Sequence, residues 1–216
     1  LTDIGLGSDS YEDVQKYQSS ITGGISASFT MIPNKGDSEH KLALKISGKS
    51  LEKNAHLMQD LMIRTVQEAN FGEHQRIQEL LSFISADNEQ SLTQNGHVLA
   101  MANAASQLTE VASTNDLTSG IRFINNTGLL SKNISDEGSL DIYIKNLKSI
   151  QSKISLTPKN IFTASSLNPD EMDLKSFSGL NAADVDEQNF IKVQDKSIGW
   201  ITGSQVCFCA EAFLTV

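Results

Sequence analysis

The residues best suited to hold a metal are four histidines, His40, His56, His74 and His97, and two cysteines, Cys207 and Cys209. None of the histidines stands in H-E-x-x-H or H-x-x-E-H, the helical spacings that aim two imidazoles and a carboxylate at one ion. The nearest approach is Asn70-Phe71-Gly72-Glu73-His74. Asparagine there is a poor zinc ligand, and Gly72 interrupts the helix such a motif needs. The cysteines sit at i and i+2. On a strand both face the same way, and a disulfide between them is strained. They are expected to be reduced, partly buried strand residues, since no further cysteine completes a zinc set. Reduced thiols favour a cytosolic or organelle-matrix setting.

Nucleophile and phosphate motifs are missing as well. There is no G-x-S-x-G elbow. Ser47-Gly48-Lys49-Ser50 carries the end of a phosphate loop, but its first glycine would fall at Leu42. The simpler reading ends a strand at Gly48 and lets Ser50 cap a helix from Leu51. Gly96-His97 opens an Ala-rich stretch. His97 there either meets a ligand at a helix start or packs locally, and local packing is the expectation. No catalytic residue and no metal ligand set is expected in the chain.

The elements that would position these residues follow from apolar spacing. Ser10 and Asp13 make a capping-box variant before Tyr11, Val14, Tyr17 and Ile21, so a helix is predicted near 10–20. Ile25, Ala27, Phe29 and Met31 alternate with polar residues, as do Leu42, Leu44 and Ile46 on the far side of a turn at 33–37. This predicts an antiparallel hairpin with strands near 24–32 and 41–47. Leu51, Ala55, Met58, Met62 and Ala69 line one helical face. Further helices are predicted around Ile77 to Ile84, His97 to Leu108, Ile121 to Leu130 and Leu140 to Ile154. A third strand is expected at 160–166. The fold class is α+β, a mostly antiparallel sheet with helices packed on one face.

From 167 to 196 the apolar pattern fades, which reads as a linker. The division expected is a domain over 1–166, the linker, and at 197–216 the first strand of a following domain, cut short. Such a strand would expose apolar surface and self-associate or add to a sheet edge. With 26 acidic against 17 basic residues the net charge is −9, which argues against nucleic acid as a partner. No apolar run reaches the roughly 20 residues of a membrane span. Acid spread along the chain suits a soluble protein or, alternatively, a surface for basic peptides.

Taken in order, several pieces resemble one family. They are Tyr11 with Ile21-Thr22-Gly23-Gly24-Ile25-Ser26, then Ile46-Ser47-Gly48-Lys49-Ser50-Leu51 with Asn54, then Ser91-Leu92 and Gly96-His97 with Ala100. The chain is similar over 1–166 to the middle, non-catalytic domain of insulinase-type (pitrilysin-like) zinc metallopeptidases, in their presequence-protease branch. Trp200 to Val216 is more weakly similar to the strand opening the next domain. The resemblance implies a metallopeptidase-like two-layer domain in which Gly23, Gly24, Ser47, Gly48, Lys49, Gly96 and His97 are fold markers. Zinc is implied for the full-length enzyme, in an N-terminal catalytic domain that with the C-terminal domains would be this segment's partner. The segment would then form wall and contact surface of a chamber for unfolded peptides. Two other readings stay open: a scaffold or core subunit derived from an inactive peptidase, and a peptide-binding module.

Overall fold

The computed structural model describes residues 1–33, 40–134, 136–156, 164, 198–200 and 207–213. Along the chain the elements are α1 (Tyr11–Ile21), β1 (Ile25–Pro33), β2 (His40–Gly48), α2 (Ala55–Gln67), α3 (His74–Gln94), α4 (Gly96–Ala105), α5 (Glu110–Ser119), α6 (Ile121–Asn133) and α7 (Glu137–Leu156). The fold is α+β, with helices dominant and a two-stranded antiparallel sheet. The described residues fall into two compact units. The first comprises 1–32, 42–77, 141–156 and 164; the second comprises 33, 40–41, 78–134, 136–140, 198–200 and 207–213.

In the first unit, the Ser10 hydroxyl caps α1 by accepting from the Asp13 amide at 3.3 Å and donating to the Asp13 carboxylate at 2.8 Å. The helix buries Val14 and Ile21. Gly24, at φ +114°, turns the chain into β1, a conformation that costs other residues heavily. Ser26 faces Ser47 across the hairpin, their hydroxyls 2.9 Å apart. Gly23 and Gly24 exchange backbone hydrogen bonds with Lys49. This register puts Ile25, Ala27 and Ile46 on one face and the exposed serines on the other. The inner face meets α1 and α2 in a core of Leu6, Val14, Ile21, Ile25 and Leu61, with Ile46, Leu57, Met58 and Met62 packed against it.

Two expected inward positions turn out otherwise. Phe29 is 57% exposed, because the core reaches the hairpin only near its base, at Ile25 and Ile46. Leu51 is 67% exposed. A 3-10 turn at Glu52–Asn54 delays α2 to Ala55, so Leu51 remains extended, outside the helical phase, and Ser50 caps nothing there. Asn54 instead donates its amide to the Ile21 carbonyl at the end of α1, at 3.0 Å. On α7, Gln151 donates to the carbonyls of Val66 (3.1 Å) and Ala69 (3.4 Å), satisfying backbone acceptors at and just beyond the end of α2.

In the second unit Leu81, Leu99, Ile121, Ile124, Ile134 and Leu140 are buried. Helix α5 has no counterpart among the predicted elements. Its buried positions are Ser113 and Asp116, so it carries no apolar stripe to read. Residues 207–213 form neither helix nor strand, and Cys207 and Cys209 are free and exposed rather than half-buried on a strand. No backbone ladder covers that segment among the described residues. The third strand expected at 160–166 and the linker at 167–196 lie outside the described residues, apart from Ala164.

Candidate functional site

The histidines are scattered: His40 opens β2, His56 lies on α2, His74 opens α3 and His97 is the second residue of α4. Among the described residues no three His, Cys, Asp or Glu side chains gather as a metal site would require. The Asn70-to-His74 stretch shows why locally. The Asn70 side chain accepts from the Gly72 amide at 2.9 Å, making a turn, and α3 begins only at His74. Both oxygens of Glu73 are engaged elsewhere, one accepting from the Gly5 amide (2.9 Å) and the other from the Tyr11 amide (3.3 Å). Glu73 thus closes the N-terminal segment onto the first unit, assisted by Arg76, which stacks 4.1 Å from the Tyr11 ring centre and donates to the Asp3 carbonyl. Among the described residues these donors do not fit zinc.

The hairpin-base residues come together in the first unit. Gly23 lies under the methylenes of Lys49, where a Cβ would press on Lys49 Cε at 2.9 Å. Gly48 lies beside the Met58 sulfur and opposite Ile25, at 3.1 Å and 3.3 Å from where a Cβ would stand. Ser47 pairs with Ser26. Gly23, Gly24, Ser47, Gly48 and Lys49 therefore make one strand-to-helix junction, with no buried polar atom left to address a ligand. Nearby, Arg64 bridges Asp9 and Glu68, each at 2.8 Å. The two hydrogen-bonded carboxylates hold its guanidinium above the usual arginine range. Arg64, Asp9, Asp13, Val14, Tyr17 and Leu61 line an open depression.

Gly96 and His97 lie apart from these, in the second unit. Gly96 is buried beneath Phe208, so close that any Cβ would collide with the ring. The His97 ring stands 6.4 Å from that of Phe208, tilted by 45°. Further along α4, Asn103 belongs to a buried polar network that the sequence pattern does not reveal. Asp116, with 0% of its surface exposed, accepts from Asn103 at 2.9 Å and from Arg122 at 2.5 Å. Arg122 also donates to the carbonyl and hydroxyl of Ser113, each at 2.9 Å. The Trp200 indole donates to Asn103 Oδ1 at 3.2 Å. Asp116 Oδ1 has no hydrogen-bond partner among the described residues and lies against Gly120, where a Cβ would collide with it. The available signal was an Asp and an Arg six residues apart in an otherwise weakly patterned stretch. Alone, that pairing does not separate a buried ion pair from two surface charges.

Among the described residues these geometries bind and position. They fix backbone turns, seat an aromatic ring and hold a polar network around the buried Asp116. Comparison with known proteins agrees on the kind of segment this is. Residues 1–129 match the family described as peptidase M-16C associated. A mitochondrial presequence protease of Schizosaccharomyces pombe is 28% identical over 149 residues, covering 68% of this chain and 15% of that protein. A mitochondrial presequence protease of Danio rerio is 24% identical over 173 residues, covering 80% of this chain and 16% of that protein. The chain thus spans only a small fraction of the curated relatives it matches.

Proposed function

The chain belongs to the peptidase M-16C associated family, and from that premise we propose that it is a non-catalytic segment of a zinc metallopeptidase that degrades unfolded peptides. It supplies wall and contact surface to the substrate chamber. The observation that carries the reading is the pairing of this family match with motif residues engaged in turns and packing. Gly23, Gly48 and Gly96 are each filled over by neighbouring side chains, and Glu73 is spent on backbone amides. The zinc ligands of the whole enzyme are assigned to residues outside these 216. Two relatives are named as mitochondrial, and on that ground an organelle matrix is the proposed compartment. Among the described residues no helix is long and apolar enough to cross a membrane.

Two measurements test this. The 216-residue chain, dialysed and subjected to metal analysis, is expected to hold no stoichiometric zinc and to leave unfolded peptides intact. One tightly held zinc per chain overturns the assignment. In the full-length protein, a photo-crosslinker at exposed Val98 or Met101 is expected to capture an unfolded peptide. Capture no better than from an unrelated surface position defeats the chamber-wall role.

A further inference from the structure

Trp200 is the chain's only tryptophan, and its indole can donate one hydrogen bond and accept none. The acceptor it meets, Asn103 Oδ1, belongs to an amide whose other end is committed. Asn103 Nδ2 donates to Asp116, and an ionised carboxylate can only accept. An amide free of such a partner could turn over and present either end. This one cannot turn without setting its oxygen against Asp116. Asp116 is held in turn by Arg122, itself anchored on Ser113. The flank of α4 therefore presents a preset acceptor that suits an N–H donor.

The second contact lies at the other end of the same helix. Phe208 rests on Gly96, where only a hydrogen atom leaves room for the ring, with His97 beside it. Gly96 and Asn103 are about 10 Å apart along a helix axis. The contacts come in opposite order along helix and segment, Trp200 at Asn103 and Phe208 at Gly96. No strand ladder assists at 207–213.

We propose that Trp200 and Phe208 are the two points of a latch that fastens residues 198–200 and 207–213 to α4. One point reads an indole N–H, the other a flat ring, and an aliphatic side chain satisfies neither. The latch is releasable, since Trp200 stays 36% exposed and Phe208 39% exposed. Letting go hands the Asn103 oxygen back to water and uncovers Gly96. This inference does not depend on the peptidase reading.

The single indole makes the test specific. In the 216-residue chain, acrylamide quenching of Trp200 emission and hydrogen exchange of its indole N–H both report the latch. The wild-type indole is expected to be quenched at least about twofold less than a free tryptophan derivative. Phe208→Ala alters an exposed residue seated at the opposite end of α4 from the indole. It is expected to accelerate indole exchange roughly fivefold, with far-UV circular dichroism unchanged. Gly96→Ala is expected to do the same by blocking the seat from the other side. If Gly96→Ala loses helix content, Phe208→Ala decides. A wild-type indole as accessible as the free derivative, or one indifferent to Phe208→Ala, overturns the proposal.

Discussion

Among the described residues, Asp116 is the charged side chain with no exposed surface. A carboxylate with no exposed surface persists only where partners replace its water. Here Arg122 and Asn103 do so at one oxygen, while the other lies against Gly120. Asp116→Ala strands the Arg122 charge and the Asn103 amide together, and is expected to cost about 3–5 kcal/mol. Gly120→Ala keeps every partner but drives a methyl group into the carboxylate, at an expected cost of about 1–3 kcal/mol. Urea unfolding of the two variants checks both figures, and a loss under about 0.5 kcal/mol in either refutes that part of the account. Tyr143, half-buried on α7, gives a separate pH dependence. Burial raises its phenol above the ordinary value of 10.0. The folded state thus holds the proton at pH values where the unfolded chain has released it. The resulting stability is fully present below about pH 10 and fades as pH rises through the folded value. Tyr143→Phe is expected to lessen the alkaline loss of stability, read as urea midpoints compared at neutral pH and above pH 10. An identical alkaline loss in both proteins contradicts it.

At the scale of the element, caps and burial decide what could be read. The hairpin was legible to within a residue or two, at Ile25–Pro33 and His40–Gly48, because a period of two between turn residues has few other meanings. Helix α1 was legible through Ser10 and Asp13, whose predicted partnership exists. Helix α5 was not, because it turns Ser113 and Asp116 inward, and buried polar residues imitate a loop. The Gly96-His97 pair stood out, yet its occupant, Phe208, lies far along the chain where local spacing carries no information. A helix with little intrinsic propensity and no apolar stripe leans on its ends. Thr109 accepts from the Ala112 amide at 3.2 Å and is the N-cap of α5. Thr109→Ala and Ser10→Ala are each expected to cost about 1 kcal/mol. The Thr109 change should also speed amide exchange across α5, where the Asp116 network depends on the helix. Unaltered exchange there means that tertiary contacts alone hold the helix.

At the scale of the whole molecule, both units are assembled from separate stretches of the chain, and what differs is when the contacting pieces are made. The helices α4, α5 and α6 come from one unbroken stretch, whereas the first unit draws on 1–32 and 42–77 and again on 141–156. Gln151 makes the difference concrete, since the carbonyls it satisfies, at Val66 and Ala69, precede it by 85 and 82 residues. On a ribosome those carbonyls emerge early and must wait, hydrated, until α7 has left the exit tunnel. The intervening helices meet their neighbours as soon as they appear. Synthesis order and folding order therefore run against each other at the end of α2: made early, it is closed by α7 only after α4 to α6 have met their neighbours. Nascent chains stalled before residue 141 are expected to protect α4 to α6 from protease while leaving the end of α2, around Val66 to Ala69, open to cleavage, with protection reaching it once Gln151 is out. Equal protection of both regions in the shorter chains contradicts that order.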